Sequence, residues 1–129
     1  MLSLLIGLTQ AVQGPLDVYG DWVVEGGRGT VTIARCASVP EAQDGTPCGV
    51  LTSVPAEAGP EGQEVIGARL LWGFEEDGQA WGGGRILDPE EDKTYRSKIW
   101  REGGTLQVKG CLGPFCKTQV WTPAGSALE

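Results

Sequence analysis

The chain contains no histidine, one methionine, two tyrosines, two phenylalanines, and ten Lys and Arg against seventeen Asp and Glu. Without histidine the commonest general base is missing, and with it the Ser-His and Cys-His nucleophile pairs and His-ligated zinc. A formal net charge of −7 argues against nucleic acid as a partner, because such binding displaces counterions with a basic surface. Anionic membranes are disfavoured for the same reason. Long apolar runs are also missing. The longest, over residues 1–11, is about half the ~20 residues a membrane-spanning helix needs.

That run, Met1 to Ala11, has the apolar centre of a secretory signal. Thr9 and Ala11 supply small residues at the third and first positions before a cleavage point, although no Lys or Arg precedes them. The expectation is a signal peptide over 1–11, a lead-in over 12–19 and an exported soluble chain, periplasmic or secreted. The alternative is an apolar first strand of the domain. No cysteine closely follows the run, so a lipid anchor is not indicated.

What the chain has in abundance is Gly (21), Pro (8) and Trp (5), with no sustained helical period. Alternating apolar and polar runs punctuated by Gly, Pro and Asp are written as antiparallel strands. Tyr19–Val24, Thr30–Arg35 and Cys48–Ser53 come first, followed by a polar loop over 55–64 that either covers a binding mouth or is a surface excursion. Ala68–Glu75, Ala80–Leu87, Thr94–Arg101, Thr105–Cys111 and Cys116–Thr122 then form a meander, with Asp77-Gly78 and Gly103-Gly104 as turns. This is an all-β reading: one domain over 20–123, with a tail over 124–129. Eight strands can close a small barrel or stack as a sandwich. A small eight-stranded antiparallel up-and-down barrel is favoured, because closure removes exposed edges.

Cys36 and Cys48 bracket one short loop and Cys111 and Cys116 another. Four cysteines allow three pairings, and the two local ones close readily. The competing reading is a four-thiolate zinc site, whose short ligand spacing Cys36 and Cys48 do not satisfy. No other metal is indicated. Asp88, Glu90 and Asp92 start like a calcium loop, but position 93 is Lys and position 99 is Ile, so the turn glycine and terminal Glu are missing. No cofactor is expected.

Among candidate ligand contacts, strict alternation over 81–87 places Trp81 and Arg85 on one strand face. If that face looks inward, Arg85 can anchor a carboxylate and Trp81 can line an apolar cavity, with Trp72 and Tyr95 as further contacts. The alternative is an outward Arg85 paired with a surface acid. The acids between Glu75 and Asp92 cluster at turns, where solvent keeps carboxylates ordinary. Catalysis is therefore not expected.

Gly20-Asp-Trp22, Cys48-Gly-Val50, Ile66-Gly-Ala-Arg-Leu70, Trp81-Gly-Gly-Gly-Arg-Ile86 and Asp88-Pro-Glu90 occur in that order. They continue into Lys93-Thr-Tyr95, Leu106-Gln-Val-Lys-Gly-Cys111 and Cys116-Lys-Thr-Gln-Val-Trp-Thr122. Over 20–123 this pattern resembles an exported bacterial family, domain of unknown function 2147. The resemblance implies a lipocalin-like barrel with the two local cysteine loops and no established activity. Leu87 replaces a usual Tyr, and Ala56–Glu64 lacks the family's usual Asn-Pro…Arg segment. The functional expectation is a binding module for a small apolar, amphipathic or carboxylate ligand or an envelope partner. The alternatives are a structural module whose barrel is filled with side chains and, third, a carboxylate-based enzyme.

Overall fold

The computed structural model describes residues 14–36 and 45–125; the expected signal peptide and residues 126–129 of the tail lie outside them. Its strands are β1 (Gly20–Val23), β2 (Thr30–Arg35), β3 (Pro47–Ser53), β4 (Arg69–Trp72), β5 (Glu75–Asp77), β6 (Ala80–Asp88), β7 (Lys93–Glu102), β8 (Thr105–Leu112) and β9 (Phe115–Pro123). Neighbours run β4-β3-β2-β1-β9-β8-β7-β6, and β6 returns to pair with β4, which closes the ring. β5 also pairs with β6, so β4 and β5 are two pieces of one interrupted staggered strand. The result is an eight-stranded antiparallel barrel. Among the described residues no helix is long and apolar enough to cross a membrane.

Two local events depart from simple alternation. The expected continuous strand over 68–75 breaks at Gly73, whose φ of 81° is open to glycine. The break turns Phe74 inward, where it is 3% exposed and packs on Gly84 so closely that a Cβ there would lie 2.4 Å from the ring. The second event is a bulge in β6. Trp81 is opposite Ile99, but Gly84 is opposite Ser97, so three steps on β6 match two on β7. Gly83, with φ 66°, absorbs the extra residue. Alternation is inverted beyond it: Trp81 and Gly84 are buried while Arg85 is exposed. The expectation that Trp81 and Arg85 share a face is therefore corrected by one inserted glycine.

One end of the barrel is closed by the chain's own lead-in, Gly14–Tyr19. Val18 is fully buried. Trp81 and Trp22 donate their indole N–H groups to the carbonyls of Leu16 and Val18, each at 2.9 Å. Arg101 donates its backbone N–H to Pro15 at 2.9 Å and its guanidinium to the Asp17 carbonyl at 3.2 Å, while lying over the Trp22 ring at 5.2 Å. Beneath this plug the interior is packed with Trp22, Val31, Ile33, Leu71, Phe74, Trp81, Ile99 and Leu106.

Cys36 bonds to Cys48 and Cys111 to Cys116, and no described cysteine is free; with the thiols paired, the zinc reading falls. The segment read as a plain polar loop instead forms a 3-10 turn (Ala56–Ala58) and a short helix, α1 (Gly59–Glu64). Pro60 sits at its start, where a missing N–H costs nothing.

Candidate functional site

The packed interior stops halfway along the barrel. Toward the other end, where the β1–β2, β6–β7 and β8–β9 turns and α1 gather, a cavity of about 1170 Å3 opens to solvent. This lies at or above the roughly 300–1,000 Å3 usual for small-ligand pockets. Leu51, Leu70, Val108 and Trp121 line its depth, and Ala58, Glu61, Gly62 and Val65 bring the α1 segment to its mouth.

Strand registers arrange the cavity wall in layers. Trp121 pairs with Leu106, and both are buried. One step outward, Gln119 is opposite Val108; the next step sets Lys117 opposite Gly110, and Gly110 opposite Ser97. Tyr95, opposite Ile86, and the Leu112–Phe115 pair make the rim. Gly110 leaves the waist open: a Cβ there would meet only Ile86 and Tyr95, at 3.6 and 3.9 Å. Leu112 and Phe115 are 59% and 78% exposed, held in a tight hairpin by the Cys111–Cys116 bond. Near the mouth, Arg28 of the β1–β2 turn approaches Glu90 of the β6–β7 turn at 3.9 Å, and Asp88 caps its own turn by accepting from the backbone N–H of Glu90 at 2.9 Å.

The residues singled out in the sequence fall in three places. Tyr95 lines the cavity. Trp81 is buried beneath it and tied to the plug. Arg85 and Trp72 are paired neighbours on β6 and β4. The Arg85 guanidinium donates back to the Gly84 carbonyl at 3.0 Å, and Arg69 covers the Trp72 ring at 5.1 Å. Neither Arg85, Trp72 nor Trp81 lines the cavity. Arg85 instead belongs to an outer ladder of cations, opposite Arg96, with Lys98 opposite Lys109 on the adjoining pair of strands. Lys117, Gln119 and Gly110 stand in the sequence only as members of the family pattern, yet counting back by twos from Trp121 puts Gln119 and Lys117 on its face. Among the described residues no cluster of three or more His, Cys, Asp or Glu is placed to hold a metal.

A closed antiparallel barrel with one plugged end and one open cavity of mixed polar and apolar lining defines a lipocalin-like fold. Helicobacter pylori protein HP1028, described as belonging to the lipocalin family, is similar in structure at a TM-score of 0.63 over 88% of this chain and 86% of that one. At 12% identity the likeness concerns the fold. Residues 20–123 match the family described as "Uncharacterized protein conserved in bacteria (DUF2147)", and the chain belongs to that family. No curated protein matches it.

Proposed function

We propose that this protein is an exported carrier that holds an apolar or amphipathic small molecule in its barrel, rather than an enzyme. One observation carries the reading: side chains fill the closed half of the barrel and leave the open half as a cavity of about 1170 Å3 with an apolar depth. A barrel serving only as structure gains stability by filling that space, since interiors elsewhere pack densely. The two disulfides support an oxidising compartment, periplasmic or extracellular.

Native mass spectrometry of the protein purified from cells that make it tests this directly, with a ligand adduct as the expected result. Gly110→Phe provides the control. The added ring projects into the waist, where a Cβ has only ordinary contacts, so the adduct should disappear while the melting temperature holds. An adduct that survives in that variant removes the cavity as its location. Protein carrying no adduct and binding no hydrophobic probe overturns the carrier reading.

A further inference from the structure

We infer that the cavity recognises an anion: its ligand is a single-chain amphiphile whose negatively charged head is held at the waist by Lys117, Gln119 and Tyr95. This rests on the carrier reading and names the ligand class for the same cavity. The charged side chains that line the cavity are Arg28, Glu61, Asp88, Glu90 and Lys117. Arg28 and Glu90 face each other, and Asp88 Oδ1 accepts from Glu90 N and Glu91 N. Glu61 lies on α1 at the mouth. Lys117 lies one layer inside the Leu112–Phe115 rim, opposite the side-chain-free Gly110, and none of the hydrogen bonds or ion pairs among the described residues engages its ammonium.

The neighbours of Lys117 add further groups able to donate. Gln119 Oε1 accepts the indole N–H of Trp121 at 2.8 Å, and an indole can only donate. That bond fixes the amide's orientation, and its NH2 group is left to face a ligand. Tyr95 lines the cavity beside Gly110, its Cβ 3.9 Å from where a Gly110 Cβ would stand, and its phenol can donate. An ammonium and an amide NH2 on β9 and a phenol on β7, with Gly110 of β8 between them, form a wall able to donate, which complements a carboxylate or phosphate oxygen. Below the wall, Val108, Leu51, Leu70 and Trp121 offer apolar surface for a chain. The three side chains reach this wall because each occupies an inward ladder position of β7 or β9.

Calorimetric titration of the purified, disulfide-intact protein with dodecanoate, dodecan-1-ol and dodecyltrimethylammonium, each below its micelle concentration, tests the assignment. Dodecanoate is expected to bind at least about tenfold more tightly than the alcohol, the order of one charge-assisted hydrogen bond. Lys117→Gln should bring dodecanoate binding down to that of the alcohol, while Lys117→Arg should retain the preference. Equal binding of all three head groups, or a dodecanoate preference that survives Lys117→Gln, overturns the anion subsite while the carrier reading stands. A preference for the cationic amphiphile overturns it in favour of the acidic mouth. If no amphiphile binds, both readings fall.

Discussion

Trp81 and Leu16 are 65 residues apart in sequence, yet the indole N–H of one donates to the carbonyl of the other at 2.9 Å. The bond joins the lead-in to the strand that carries the bulge, so the plug is part of the barrel's own structure. Trp81→Phe keeps an aromatic ring and removes the donor, leaving the Leu16 carbonyl with only the Val18 backbone N–H, at 3.0 Å. Unfolding in urea should show a loss of about 0.5–1.5 kcal/mol, the net worth of one hydrogen bond. Amide exchange at Val18 should quicken in the same variant; unchanged exchange would mean that the plug is held by other contacts.

Gly84 and Phe74 form a close packing pair. A Cβ at Gly84 would sit 2.4 Å from the Phe74 ring, so Gly84→Ala forces the ring from its site and should cost about 1–3 kcal/mol. Adding Phe74→Leu to Gly84→Ala should recover part of the loss, which a double-mutant cycle in chemical denaturation will measure.

Arg85 opposite Arg96 and Lys98 opposite Lys109 set like charges together on the outer face. Asp77 offsets Lys98 only in part, at 3.6 Å and exposed. Arg85→Gln or Lys109→Gln should therefore raise stability by about 0.2–1 kcal/mol at low salt. The gain should shrink as salt screens the repulsion of the wild type, and urea midpoints across a salt series will show whether it does.

Tyr19 donates its hydroxyl to the Gly45 carbonyl, and burial raises its phenol pKa. The Arg35 guanidinium opposes that rise, while Asp17 and Glu76 add to it. The unfolded chain ionises at about pH 10, before the folded one, so the folded state holds its proton longer. This contribution to stability is fully present below about pH 10 and declines as pH rises through the folded pKa. Tyr19→Phe should remove that alkaline slope from a plot of unfolding free energy against pH. Persistence of the slope would assign it to another group.

Strand positions and turns were legible because period-two alternation and Gly- or Asp-rich turns are local properties. The two cysteine loops were legible for a similar reason, since short loops close readily. The face of Arg85 was not legible. One extra glycine in the run Gly82-Gly83-Gly84 reverses every side chain after it, and nothing in three identical residues marks which one takes positive φ. Phe74 was equally hidden: its inward turn depends on the absence of a side chain at Gly84, ten positions away and across the sheet. The cavity is a collective property of several strands and α1, and no single motif announces it. Lys117 and Gln119 could have been found by counting from Trp121, but only once that tryptophan was known to face inward.

The division of the barrel into a packed half and an empty half separates two evolutionary pressures. Core residues on which folding depends, Trp22, Trp81 and Phe74 among them, belong to the packed interior and do not line the cavity. Lys117, Tyr95, Gly110 and the exposed Leu112–Phe115 tip lie above that interior, where substitution changes what fits without disturbing the floor. Relatives are expected to keep the same closed base, with differences among them concentrated in the upper layers of β7, β8 and β9.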